Sequence, residues 1–242
     1  MITLIISDKL YDKFESDSIE YNDGDIFVRR WEFLLENDPA CDMLVLDLDL
    51  ESRVDSRRFG SEFMQKVGHG EINKHSAEFI ECFDSLCEDV PALLRSGSIV
   101  IALHSRGVIA RDKSRHGPNS SLASSSTNWL KELDVSDSIT PSKKSNFELV
   151  SEIPAVRDYY AWVGQGISVE INTDIVTEPT VLAEVSGENG GVAVSEFRDW
   201  HNERVDATGS LVILPQPRSL ARPFHLAKSL AEIGQAFYSG PK

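Results

Sequence analysis

The sequence predicts one α/β domain with a mainly parallel central sheet flanked by helices. Short apolar runs rich in β-branched residues alternate with longer segments whose apolar residues recur at helical spacing. The runs are apolar throughout, as is typical of parallel strands that helices cover on both faces. With 242 residues, 41% of them hydrophobic, the chain is long enough to fill one large core.

The first half of the chain supplies the strand–helix repeats. Met1–Ser7, Met43–Leu48 and Ser98–Leu103 are apolar runs of strand length. Asp25–Leu35 and Ala77–Leu94 lie between them and carry apolar residues at the spacing of one helix face. Strand, helix and strand at these lengths predict βαβ units, and hence a flavodoxin-like sheet.

The second half of the chain is less regular. Arg111–Asn146 is rich in serine and poor in apolar residues, and it predicts a long surface loop or insertion within the single domain, residues 1–242. The later strands are predicted at Ile167–Ile171, Thr180–Val185, Val192–Phe197 and Leu211–Leu214, and an amphipathic helix at Ser219–Tyr238. The second and third of these strands would pair as a hairpin.

Composition excludes several classes of protein. The 39 acidic residues against 24 basic ones give a net charge of −15, which argues against direct binding to nucleic acid or to an anionic membrane. No apolar run approaches the roughly 20 residues of a membrane span. The three cysteines form no disulfide or zinc pattern. We therefore expect a soluble, cytoplasmic protein without a cofactor.

The segment Leu93–Gly107 carries the clearest functional signal. Its apolar strand ends in His104, Ser105 and Arg106. In open α/β sheets, ligands bind beyond the carboxyl ends of the strands, so these residues are candidates for binding a ligand or a partner. Arg106 could hold an anion. The alternative is that His104 caps the strand and bonds a neighbouring carbonyl.

This segment resembles the class I glutamine amidotransferase-like superfamily, in its trehalose-utilisation branch. There, a helix ends in a glycine turn and the next strand closes with a His-Ser sequence. Trp129–Leu133 (WLKEL) is similar to a W-x-x-L helix of that group, which makes Trp129 another candidate contact. Val181–Pro215 resembles the family's ending, with a pair of strands and then a glycine, Gly209, before the closing strand. The resemblance implies the superfamily's fold and a pocket at His104 and Ser105.

The chain departs from the superfamily at the catalytic residues. An active glutamine amidotransferase needs a cysteine on a tight elbow and a histidine partner to activate it. Here His104, Ser105 and Arg106 follow the third strand, and the last strand runs into Pro215 and Gln216. We therefore expect no glutaminase activity. The resemblance then implies a catalytically degenerate module, an accessory or regulatory subunit that binds a partner protein or a small ligand and that could form homo-oligomers.

An enzyme is the alternative class of function. Asp47 and Asp49 follow the second strand at i, i+2, and such a pair can hold one hard cation in magnesium-dependent phosphoryl transfer. An acid-rich loop that caps the next helix and faces water explains the same residues without any metal. A hydrolase at His104 and Ser105 is the other enzymatic interpretation, although neighbouring residues at a strand end point in different directions.

Overall fold

A mixed β-sheet is the framework of this protein, seen in a computed structural model that describes residues 1–14, 18–21, 24–37, 39–47, 85–86, 89–104, 139–141, 147–163, 167–169, 179–185, 187–194, 209–217 and 220–238. The strands are β1 (Thr3–Ile6), β2 (Ser18–Tyr21), β3 (Gly24–Arg29), β4 (Met43–Leu46), β5 (Ile99–His104), β6 (Ile139–Pro141), β7 (Glu148–Leu149), β8 (Ile167–Val169), β9 (Thr180–Val185), β10 (Glu188–Val194) and β11 (Ser210–Pro215). The described helices are α1 (Asp8–Tyr11), α2 (Phe33–Glu36), α3 (89–95), α4 (Pro154–Tyr160) and α5 (Pro223–Phe237).

Parallel strands form the centre of the sheet, in the spatial order β3-β1-β4-β5-β11. β2 adds to one end antiparallel, and β10, β9 and β7 extend the other end, also antiparallel. A short pair of strands, β6 and β8, lies outside this sheet. The predicted α/β class is confirmed, but a mainly parallel sheet is correct only for the centre. β9 and β10 are joined by a tight turn, and such a connection allows only antiparallel neighbours.

The predicted helix at Asp25–Leu35 is wrong over most of its length. Its first residues form the parallel strand β3, and only Phe33–Glu36 are helical. Ile26 and Val28 are buried on one face of the sheet, whereas Phe27 packs against the core on the other face. This alternation has the period of two that a strand requires, and β-branched residues favour it.

Apolar side chains cover both faces of the sheet, as predicted. On one face, helical residues Val90 and Leu94 pack against β4, β5 and Trp31. On the other face, Leu226 and Leu230 of α5 pack with α4 against the opposite side chains of the same strands. None of the described helices is both long and apolar enough to cross a membrane.

The predicted hairpin of β9 and β10 is confirmed, with a much shorter turn than expected. β10 begins at Glu188 instead of Val192, because residues 188–191 continue the pairing through a β-bulge. Gly187 has a φ of +82°, a conformation that favours glycine in the turn. Gly191 lies against the ring of Tyr160, and a Cβ added there would stand 2.0 Å from the Tyr160 hydroxyl. Residues 195–197 of the predicted strand lie outside the described residues.

The remaining boundaries differ from the predictions by a few residues. The strands at 43–48, 98–103 and 211–214 and the last helix are confirmed as β4, β5, β11 and α5. Residues 89–95 confirm the described part of the helix predicted at Ala77–Leu94. Most of the Arg111–Asn146 segment lies outside the described residues, but Ile139–Pro141 within it form β6 and pair with β8.

Gly209 closes the start of β11 against the end of α3, and a larger residue cannot fit there. An added Cβ would lie 2.1 Å from the carbonyl oxygen of Ser98 and 2.8 Å from that of Leu94, and both atoms belong to fixed backbone. We expect Gly209→Ala to lower the free energy of unfolding by at least about 2 kcal/mol, measured by urea denaturation.

Gly234→Ala is the matched comparison for that experiment. Its added Cβ would meet the side chain of Met43, which is flexible, and alanine is the better helix former. The loss at position 234 should therefore be the smaller one. Equal losses, or a larger loss at position 234, would show that backbone crowding is not what requires glycine at position 209.

Candidate functional site

Polar residues from neighbouring parallel strands meet at the carboxyl edge of the sheet. Ser7 follows β1, Asp47 follows β4, His104 ends β5 and Gln216 follows β11. We call these four residues the carboxyl-edge site. It adjoins the boundary between β1 and β4. The order in which the chain adds strands reverses there, since β3 lies on one side of β1 and β4 on the other. Ligands of open α/β sheets bind at this kind of position.

Asp47 is the centre of this arrangement. The residue is 8% exposed. The Ser7 hydroxyl donates a hydrogen bond to Oδ2 at 2.6 Å, and the side-chain amide of Gln216 donates a short one to Oδ1. Because β5 lies between β4 and β11, Asp47 and Gln216 meet across the end of the strand that finishes in His104. One carboxyl group therefore ties together the ends of three strands.

Ser7 also connects the site to the first helix. Its Oγ accepts a hydrogen bond from the backbone N–H of Leu10 at 3.2 Å, which caps the start of α1. The same hydroxyl thus donates to Asp47 and accepts from the helix. Both hydrogen-bonding functions of a buried hydroxyl are satisfied, which fixes its orientation.

Burial dominates the electrostatics of the site. It raises the pKa of the Asp47 carboxyl, although the hydrogen bonds from Ser7 and Gln216 and the positive charge of Lys9 oppose the shift. Burial and the nearby Asp47 also raise the pKa of the Tyr159 phenol well above its ordinary value. Tyr159 is therefore a neutral donor, and its hydroxyl donates to the carbonyl of Pro215 at 2.7 Å.

Arg30 lies farther along the same edge, directly after β3. Its guanidinium forms an ion pair with Asp12 and stands 4.9 Å from the centre of the Tyr11 ring. This cation is thus engaged by α1 and the residue after it. Such exposed pairs contribute little to stability, about 0–1 kcal/mol, but they neutralise the charge locally.

The structure locates the predicted site residues in part. The backbone of His104 ends β5 and pairs with Pro215 of β11, as the strand-end hypothesis requires. The His104 side chain and residues Ser105, Arg106, Trp129 and Asp49 lie outside the described residues, so their roles stay predictions. Within the described residues, no group of three His, Cys, Asp or Glu side chains is placed to hold a metal ion.

Sequence reasoning missed Ser7, Gln216 and Tyr159 as members of the site. Ser7 and Gln216 are the first polar residues after β1 and β11, as Asp47 is after β4. This shared position is a signal that the sequence contains. Tyr159 lies on α4, which the hydrophobic pattern did not predict, and no sequence signal places it beside Asp47.

Cys41 is the cysteine whose surroundings the structure describes, and it lies at the opposite edge of the sheet, just before β4. Burial, together with the negative charge of Asp42, raises the pKa of its thiol to about 12. The thiol is therefore protonated at neutral pH, and a protonated thiol is a poor nucleophile. Cys82 and Cys87 lie outside the described residues.

No protein-family model, curated protein or solved structure matches this chain. The resemblance to the amidotransferase-like superfamily thus depends on the motifs quoted above alone.

Asp47 should make the stability of the protein depend on pH. A carboxyl group whose pKa is higher in the folded state binds protons more readily there than in the unfolded chain. Its contribution to stability is therefore lost as pH rises from the unfolded value, about 3.9, through the folded pKa. We expect wild type to lose stability relative to Asp47→Asn over this range, measured by urea unfolding between pH 4 and pH 8.

Asp158→Asn is the control, because this exposed aspartate on α4 removes the same charge without a buried carboxyl. Its stability difference from wild type should stay nearly constant across the range. A constant difference for Asp47→Asn as well would mean that the buried carboxyl keeps an ordinary pKa in the folded protein.

Proposed function

We propose that this chain is a non-catalytic, amidotransferase-like module that binds a small ligand or a partner protein at its carboxyl-edge site. The observation that carries the proposal is the convergence of strand-end polar residues on the buried Asp47, beside the boundary between β1 and β4 where the strand order reverses. Binding needs a complementary surface at this place, whereas catalysis also needs a reactive group.

The order of the parallel strands supports a flavodoxin-like fold. Counted along the chain, β3, β1, β4, β5 and β11 are the second, first, third, fourth and fifth parallel strands. The order 2-1-3-4-5 is that of flavodoxin-like sheets, whose ligands bind next to the first strand. The antiparallel strands β10, β9 and β7 extend this arrangement beyond β11.

The chemistry of the described groups favours binding over catalysis. Both oxygens of Asp47 accept hydrogen bonds from side chains, so the carboxyl serves to position strand ends. Cys41 is protonated and lies at the other edge, away from the place where an amidotransferase nucleophile would follow β5. In that place the sequence has Ser105 and Arg106.

An enzyme is the second candidate, favoured by one observation. Asp47 lies next to the end of β5, so a metal bound by Asp47 and Asp49, or a hydrolytic pair of His104 and Ser105, would share this edge. Titration calorimetry with Mg²⁺ and Mn²⁺ tests the first version. Stoichiometric binding that Asp49→Ala abolishes would favour phosphoryl transfer over the binding module.

The proposal predicts that the full chain releases no ammonia from glutamine above the buffer rate. The reason is that no cysteine follows β5, so the thioester route of amidotransferases has no nucleophile. A coupled glutamate dehydrogenase assay measures this directly. Ammonia release that disappears in Cys41→Ser, Cys82→Ser or Cys87→Ser would contradict the prediction.

Binding at the carboxyl edge is tested by thermal shift with inorganic phosphate, AMP and glutamate, and by quantitative co-purification from a cell extract. We expect a ligand or a partner to stabilise wild type by several degrees, since binding to the folded state alone raises stability by about 2.7 kcal/mol at 100 times Kd. His104→Ala and Arg106→Ala should lose this gain while their unliganded melting temperatures stay near that of wild type.

Ser96→Ala is the control variant, since Ser96 is exposed and lies at the opposite edge. It should keep the full stabilisation. If His104→Ala instead costs several kcal/mol of stability and leaves binding unchanged, His104 is a structural hydrogen-bonding residue and the proposed site is wrong.

A further inference from the structure

A cleft of about 410 Å³ lies at the amino edge of the sheet, opposite the carboxyl-edge site. Ile2, Asp42 and Ser98 line it, and they immediately precede the parallel strands β1, β4 and β5. Leu93 and Ser96 from the end of α3 and Tyr238 from the end of α5 complete its walls. We call this the amino-edge cleft. Its volume falls in the range of small-molecule sites, about 300–1,000 Å³.

We propose that the amino-edge cleft binds a small organic amine as its ammonium ion, with the apolar stem of the amine packed in the cleft. This inference is independent of the function proposed above, because it concerns a different edge of the sheet and different residues.

Among the described residues that line the cleft, Asp42 is the one acidic side chain, and none of the others is Lys, Arg or His. The Oδ2 atom of Asp42 accepts the backbone N–H of Ile2 at 2.7 Å, which holds the carboxylate in place at the rim. A carboxylate oxygen has more lone pairs than this bond uses, so it can also accept from an ammonium group.

Two helices on opposite faces of the sheet end beside the cleft. α3 packs on one face and α5 on the other, and both end at this edge, as the proximity of Gly234 to Met43 at the start of β4 confirms for α5. The carboxyl end of a helix carries a partial negative charge and favours cations. The negative charge of Asp42 also acts on the lining directly, since it contributes to the raised pKa of Cys41.

The apolar lining fits the stem of an amine. Ile2 is 47% exposed, which is high for a large aliphatic side chain, and Leu93 is half-buried beside it. Tyr238 adds an aromatic side chain to the lining, and aromatic rings attract cations by about 0.5–1 kcal/mol at exposed sites. The hydroxyls of Ser96 and Ser98 donate their protons to the carbonyls of Leu93 and Cys41, so towards a ligand their oxygens act as acceptors. Acceptors and a carboxylate together favour a donor-rich cation such as an ammonium group.

The test uses the full chain and the probe 2-phenylethylammonium, with 2-phenylethanol and 3-phenylpropanoate as neutral and anionic analogues of similar shape. We expect saturable binding of the ammonium probe with a Kd of about 5 mM or tighter, and at least about tenfold weaker binding of both analogues. Amide shifts in ¹⁵N NMR spectra should concentrate at Asp42, Ser98 and Tyr238. No saturable binding, or equal binding of the analogues, overturns the proposal.

Asp42→Asn separates the specific site from the attraction of any cation to a chain of charge −15. Asparagine can still accept the Ile2 N–H, so the variant should fold, and it should bind the probe about tenfold more weakly. Asp158→Asn removes the same charge from α4 and should bind within twofold of wild type. Equal weakening in both variants overturns the proposal. Nα-acetyl-lysine methylamide, which presents a lysine side chain, is titrated as a further comparison. If it binds tenfold more tightly than the free amine, the cleft recognises a peptide lysine and the proposal is overturned.

Discussion

β1 pairs in parallel with both of its neighbours, and this pairing sets the direction of the central strands. Thr3–Ile6 pair residue by residue with β3 on one side and with β4 on the other, and all four side chains are buried. A strand enclosed in this way has no free backbone groups and no face in water. Because both pairings are parallel, the neighbouring strands share its direction and their ends fall at two common edges.

The two edges differ in chemistry for this reason. The carboxyl edge gathers the polar residues that follow each strand, and there the buried Asp47 is held by Ser7 and Gln216. The amino edge gathers the residues that precede each strand, together with the ends of α3 and α5, and there Asp42 lies at the rim of an open cleft. One carboxyl group is buried and fully engaged, and the other remains accessible to a ligand.

Hydrophobic pattern alone predicted the buried elements well. β1, β4, β5 and β11 are continuous apolar runs, and α5 repeats its apolar residues at helical spacing, so each was found within a few residues. β3 was mistaken for a helix because Val28, Trp31, Leu34 and Leu35 follow one another at the spacing of a helical face. The sequence predicted the location of the site, because the strand end at His104 was identified. It did not predict the hydrogen bond between Gln216 and Asp47.

The α/β class, the central strands and the edge at which polar residues collect could all be predicted from the sequence. These follow from local periodicity, which depends on residues near each other in the chain. Which strand ends meet could not be predicted in this way, because Asp47 and Gln216 are 169 positions apart and their contact requires the complete order of the sheet. The same holds for the amino-edge cleft, whose walls come from three strand starts and two helix ends that no local pattern connects.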